Sequence, residues 1–443
     1  MKTNFSLING VINNNLNIVN CSFIHFLDVN FVRIMEEFIF ELSNGIRVIF
    51  KPTTGNVAHC GFIINTGSRD ETLAESGLAH FIEHAIFKGT LKRKTHHILN
   101  RIDSVGGEIN AFTTKENTNI YASFTTEYFE RATDLLTDII FNSTFPDKEL
   151  TKEKEVIIDE IYSYQDTPYE QIYDDFEEQI FKNHPLGMNI LGSIESISNL
   201  KREDVIAFFG KHYATENIVF SIVGNIPLKK VQRIVEKYIG TITQKPISTV
   251  REHFTNYTPQ SNSILKDTHQ AHCIIGNIAY GSFHEKRNIF MLLNNILGGP
   301  AMNSKLNMGL REKYGLTYNI ESSYNLYSDV GLFSVYLGTD IKHIDKSIRL
   351  VKREMKKLKN NQLSSSQLKN AKRQFLGQTT IAEENNCNVM LGQGKSLLLY
   401  NKVEDLATVY EKINAITQND ILDVANEIFD ENQLSTLLYQ PEN

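Results

Sequence analysis

The chain has 443 residues, 41% hydrophobic and 22% charged, and its 45 basic against 52 acidic side chains leave a net charge of -7. That length exceeds one ordinary core and supports two or more domains, the composition excludes wholesale disorder, and the charge gives no general reason to bind nucleic acid. Cys21, Cys60, Cys273 and Cys387 include no C-x-x-C pair, which argues against a disulfide framework or a cysteine-based metal site and fits a reducing compartment.

Residues 1–35 read as an N-terminal extension. They are rich in Asn, their apolar runs are interrupted, and they lack the Arg-rich amphipathic pattern of a mitochondrial presequence. No stretch of the chain approaches the roughly 18 apolar residues of a membrane span. Met35 begins a globular pattern, in which "FIFELSNGIRVIFKP" predicts two short strands around an Asn44-Gly45 turn. "VAHCGFIINTGSRDE" predicts another strand, followed by a helix through "ESGLAHFIEHAIF" and a second through "THHILNRIDSVGG", stopped by Gly106-Gly107. A strand pair through "EINAFTTKENTNIYASFT" precedes helices "EYFERATDLLTDIIF" and "DKELTKEKEVIIDEIYSYQ". The pattern is α+β, with helices packed on a mostly antiparallel sheet.

Shifting the sequence by 216 residues lays "REDVIAFFGKHYATENIVFSIV" over "QNDILDVANEIFDENQLSTLLY" with matching apolar positions, the mark of a duplicated domain. The polar stretch after residue 240 separates the copies. The chain divides into an extension (1–35), a first half (36–245), a linker (246–262) and a second half (263–443). At the same shift His80, Glu83 and His84 fall on Ile296, Gly299 and Pro300, so the second copy needs the helix without its titratable groups. Chemistry is therefore expected in the first half only.

Within "GLAHFIEHAIFKGT", His80 and His84 are four apart, so their imidazoles leave one helix face on successive turns and can chelate one metal ion. Glu83 lies beside the same face, placed to act on water there. A hydrolytic zinc site wants a third ligand, often a carboxylate; Glu153 and Glu160, seven apart on a later helix, are the candidates. His96 and His97, adjacent and directed apart, read as surface residues. In "DTPYEQIYDDFEEQIF", Glu170 and Asp174 are four apart and can offer a basic side chain two carboxylates, although acidic helix faces are more often simply solvated.

H-x-x-E-H is the signature of the inverzincins, and its surroundings resemble the pitrilysin-type metallopeptidases, most nearly the mitochondrial processing peptidase beta subunit and its single-chain bacterial relatives. The resemblance spans roughly residues 36 to 443, through "GLAHFIEHAIFKGT", "GGEINAFTTKENTNIYA", "EKEVIIDEI", "HPLGMNILGS" and "LREKYGLTY". It implies two similar α+β halves enclosing a peptide chamber and one zinc ion per chain. His80, His84 and Glu160 would be the ligands, Glu83 the general base and Glu153 an outer support. It further implies that Asn110 and Ala111 lie on an edge strand that accepts an extended peptide, and that Arg311 and Tyr318 approach the substrate from the second half. Left to themselves, Arg311 reads equally as a surface residue of a basic helix and Tyr318 as a core aromatic. By the same resemblance Glu170 and Asp174 receive an arginine just upstream of the cut, and Phe87 walls the residue after it. The expected protein is a zinc metalloendopeptidase acting on extended peptides, presequence-like segments or unfolded protein, a homodimer in a bacterial cytoplasm, with the mitochondrial matrix as the alternative location. The rival reading is a catalytically silent core or peptide-binding subunit, which predicts loss of ligands that are all present here.

Overall fold

A computed structural model describes residues 37–247 and 250–442, with the backbone of Asn17 and Ile18. The expected extension otherwise lies outside the described residues. The two-residue strand β1 (Asn17–Ile18) pairs antiparallel with β2 (Phe38–Glu41), which pairs with β3 (Arg47–Pro52). The hairpin loop holds three residues rather than two, since the Leu42 N–H donates to the Ile46 carbonyl at 2.9 Å and Gly45 takes φ +86°. The Asn44 amide is buried and ties the loop to the carbonyls of Ile239 and Ile242 at 2.8 and 3.0 Å.

The first half continues through β4 (Val57–Ile64), α1 (Leu78–Ala85), α2 (Thr95–Asp103), β5 (Glu108–Thr113), β6 (Thr118–Thr125), α3 (Phe129–Phe141) and α4 (Asp147–Gln165). Then come α5 (Pro168–Ile180), α6 (Ile194–Asn199), α7 (Arg202–His212), β7 (Ile218–Gly224) and α8 (Leu228–Tyr238). The second half holds β8 (Ser261–Lys266), which begins inside the stretch read as a linker, β9 (Ala271–Tyr280), α9 (Arg287–Gly298), β10 (Asn319–Leu326) and β11 (Val330–Thr339). It closes with α10 (Ile344–Asn360), α11 (Ser365–Ala382), α12 (Asn386–Tyr400), α13 (Leu406–Ala415), α14 (Gln418–Ile428) and β12 (Ser435–Pro441).

The first sheet runs β1-β2-β3-β7-β4-β6-β5, antiparallel except at β3–β7. The second runs β10-β11-β9-β12-β8, antiparallel except at β8–β12. Without β1 and β2, the first order read backwards is the second with every strand moved on by five, so the halves share one topology. The shift of 216 carries α7 onto α14 end for end. It does not carry α1 onto α9, which starts only 209 residues after Leu78, because the connection from β4 to α1 is longer than that from β9 to α9. Gly299 and Pro300 therefore lie beyond α9, whose one titratable side chain is Arg287. The half without the histidines is as expected; their partner positions are not.

Each sheet is covered on both faces. In the first, Val48, Phe50, Phe62, Ile120, Phe220 and their neighbours pack among the helices of their own half. On the other face Ile49, Ile63, Val219 and Val223 meet Val389, Met390 and Leu397 of α12, from the second half. Gly394 allows this approach, since a Cβ there would stand 2.5 Å from Ile63 Cδ1. Reciprocally, Ile172, Phe176 and Ile180 of α5 pack on Ile274, Leu332, Tyr336 and Leu437 of the second sheet. This exchange explains why β7 and β11 are buried at every position and read as mostly apolar runs rather than alternating ones. Phe176, 1% exposed, is the largest fully buried side chain that α5 contributes. Phe176→Ala should cost about 3–5 kcal/mol of stability, measured as a lowered urea midpoint.

Candidate metal centre

The site begins with how α1 starts. Gly77 at its N-cap has φ +89°, and a Cβ there would meet Leu191 O at 2.6 Å and Gly192 Cα at 2.9 Å, so no capping side chain fits. Glu71 caps from outside: Oε2 accepts from the Gly77 N–H at 2.9 Å and Oε1 from the Ala79 N–H at 2.7 Å. Burial pushes this carboxyl well above the usual range, while the two N–H donors and Lys115 pull it back. Both oxygens accept from N–H groups, a pattern that suits a carboxylate. Leu78, Phe81, Ile82 and Ala85 bury the apolar side of α1. On α4, Leu150, Ile157 and Ile161 do the same, which turns Glu153 and Glu160 towards α1.

Donor atoms of His80, His84 and Glu160 all lie within 4.8 Å of one another, a group that could hold a metal ion. Both Nε2 atoms stand 3.8 Å from Glu160 Oε2; ligands in a tetrahedral zinc shell would be about 3.3 Å apart, so a small contraction suffices. Burial and the neighbouring His84 push His80 down to about 3, leaving it neutral as a ligand must be, and its buried Nδ1 has no hydrogen-bond partner among the described residues. His84 Nδ1 lies 3.2 Å from Glu153 Oε2, which leaves Nε2 for the ion. Burial would lower His84, but the Glu153 hydrogen bond and the charges of Glu83 and Glu160 raise it. Glu153 is in turn paired with Lys88 at 2.7 Å; burial alone would raise its carboxyl, and His84 and Lys88 hold it low. Glu83, 9% exposed, is raised by burial and partly held down by Thr113, whose hydroxyl donates to Oε2 at 2.6 Å. Two imidazoles and a carboxylate make a donor set that fits zinc.

The other expected residues are placed unevenly. Asn110 is exposed and Ala111 half-buried on β5, the free edge of the first sheet, but the strand meets Glu83 through Thr113. Phe87 is half-buried against the main core. Glu170 and Asp174 both lie on α5, and burial together with the charges of Glu170, Asp174 and Glu160 raises the Tyr164 hydroxyl. Asp174 accepts from Asn189 Nδ2 at 3.1 Å, and burial pushes it up to about 6. Arg311 sits in a π-helical turn, Asn307–Glu312, with its Nε 3.8 Å from Glu312. Tyr318 is 89% exposed just before β10, which rules out a core aromatic. Among the described residues, neither hydrogen-bonds to the first half. His96 and His97 are exposed as expected, but their rings are 3.9 Å apart rather than directed away, since two solvated side chains can swing together.

Sequence reasoning missed three residues: Thr113, Lys88 and Glu71. Thr113 lay in a stretch already marked, and Lys88, four past His84, was open to the same spacing argument. For Glu71, seven residues ahead of the helix it caps, no local pattern exists. In the second half α11 starts 218 residues after α4, which places Gln378 opposite Glu160. Gln378 accepts from Asn295 on α9 at 2.9 Å, a neutral amide pair where the first half has the Glu160 carboxylate.

Comparison with known proteins gives two adjoining matches. Residues 47–193 match the family described as Insulinase (Peptidase family M16), and residues 199–375 match Peptidase M16 inactive domain. An uncharacterized zinc protease of Bacillus subtilis is 33% identical over 401 residues, 90% of this chain and 97% of that one. An uncharacterized zinc protease of Rickettsia bellii is 32% identical over 400 residues, 90% of this chain and 96% of that one. Among solved structures, a protease from Helicobacter pylori superposes with TM-score 0.85 at 21% identity, covering 92% of this chain and all of that one. A structure from Pseudomonas fluorescens described as a peptidase M16 inactive domain gives 0.86 at 18% identity, covering 92% and 98%. These two likenesses concern the fold.

Glu160→Gln should remove most of the zinc taken up by the purified protein, whereas Glu153→Gln, which keeps all three donors, should weaken uptake by about 10–100-fold. Zinc titration against a chromophoric chelator separates the two, with circular dichroism checking that both variants fold.

Proposed function

The chain belongs to the M16 peptidase family, and from that premise we propose that it is a zinc metalloendopeptidase that hydrolyses peptide bonds in extended peptides or unfolded protein. One observation carries the reading: the convergence of His80, His84 and Glu160 donors beside the Glu83 carboxylate. Zinc bound there supplies Lewis acidity and makes nearby water more acidic. Glu83 takes the proton from the attacking water on a carboxylate oxygen and passes it to the leaving amine nitrogen, and its raised affinity for protons suits both steps. Thr113 fixes the carboxylate through Oε2. Glu153, neutralised by Lys88, holds the His84 ring so that Nε2 faces the site.

The free edge of β5 receives the substrate backbone as an added strand in the chamber between the halves, past Asn110 and Ala111, so binding depends little on sequence. Glu170 and Asp174 supply a preference for arginine just upstream of the cut. Phe87 lines the far side of the scissile bond, and Arg311 and Tyr318 approach from the second half. The reading includes a homodimer acting in a bacterial cytoplasm, of which the bacterial relatives support the bacterial part. No helix among the described residues is long and apolar enough to cross a membrane.

Glu83→Gln should lower kcat/KM by at least about 100-fold while zinc remains bound. Wild-type turnover by that variant would overturn the mechanism.

Arginine recognition carries its own pH signature. Asp174, with its carboxyl near 6, is neutral below that pH and charged above it, so the pull on arginine is complete only on the alkaline side. The ratio of kcat/KM for matched Arg and norleucine peptides should fall between about pH 7.5 and pH 5, and Glu170→Gln/Asp174→Asn should flatten it. Equal rates on both peptides in wild type would refute the preference.

A further inference from the structure

We propose that Glu71 is a positioning residue of the metal centre: its buried carboxylate is the N-terminal cap of α1 and sets where His80, Glu83 and His84 stand. The proposal rests on the zinc-site reading above and extends it to a residue nine to thirteen positions away from the groups it serves.

α1 has eight residues, and a helix that short is marginal unless its first N–H groups are satisfied. A local cap is ruled out, because Gly77 combines a left-handed backbone with no room for a Cβ. Glu71, 3% exposed, supplies what the N-cap cannot, and the second N–H it holds belongs to Ala79, the residue before His80. A shift of this cap moves the first metal donor directly.

Two further observations point the same way. In the second half α9 occupies the equivalent place, but the N–H of its N-cap, Lys286, is held by the His284 imidazole two residues back, at 3.1 Å from Nδ1; the half without metal donors does without the remote carboxylate. Glu71 is also held rigidly, because the two residues before it are clamped. The Arg69 guanidinium forms a bidentate pair with Asp329 of the second half at 2.5 and 2.8 Å, and Asp70 forms one with Arg251 at 2.9 and 2.7 Å. Three consecutive side chains thus fasten the second sheet's β10–β11 turn, the segment between the halves, and the metal helix.

Glu71→Gln tests the assignment, since it preserves shape but turns an amide donor towards one of the two N–H groups. Amide exchange of residues 77–85, read on metal-free protein, should quicken in the variant. Zinc affinity should fall by about 10-fold or more, and the absorption spectrum of the cobalt(II)-substituted protein should change. A purely structural role would lower stability without altering that spectrum. Unchanged exchange, or faster exchange with wild-type zinc affinity and cobalt spectrum, overturns the proposal. If Glu71→Gln does not fold, Glu71→Asp, which keeps the charge and shortens the reach, undergoes the same measurements with the same deciding outcomes. Wild-type protein that binds neither metal would refute the zinc site itself, and the exchange comparison would still decide whether Glu71 is the cap.

Discussion

Eight residues of helix must be dry on one side and chemically active on the other, and the rest of the first half answers to that requirement. The apolar side of α1 is sealed into the main core by Leu78, Phe81, Ile82 and Ala85. Burial is also what makes the polar side useful, because it keeps His80 neutral and raises the proton affinity of Glu83. The same burial would be costly for charges left alone, so each is answered: Glu153 by Lys88 and His84, Glu83 by Thr113.

The duplicated half shows the alternative solution. Its sheet has the same strand order and its helices fall in the same places, but the position of the acidic ligand holds Gln378, bonded to Asn295. An amide pair satisfies its own hydrogen bonds without an ion, whereas two imidazoles and a carboxylate converge at a cost unless something binds between them. One architecture thus accommodates either arrangement, and the helix pair itself does not require the metal donors.

Much of this was legible in the sequence because the informative signals are local. α4 begins and ends where its pattern said, and the spacing of His80, Glu83 and His84 fixed their common face. What remained hidden depended on distance. The cap from Glu71 joins residues through a turn with no repeating pattern. The exchange of α5 and α12 was invisible because an amphipathic helix records that it has a buried face, not which sheet will bury it. The register of α1 against α9 went astray because one shift cannot describe two connections of different length, whereas α7 and α14 kept it. Tyr318 was ambiguous for a similar reason, since an aromatic beside a strand reads as core until its neighbours are known.

The exchanged helices impose an order on how the chain is made. During synthesis the first sheet is complete once Gly224 has emerged, but the helix that covers its outer face begins only at Asn386. For some 160 residues of elongation, on the order of 8–30 s at about 5–20 residues per second, Ile49, Ile63, Val219 and Val223 have no cover from their own chain, and α5 waits likewise for a sheet not yet made. That interval is when a second nascent copy could supply its own α12, so the feature that locks the finished halves together also leaves an apolar sheet face open to exchange between copies during synthesis.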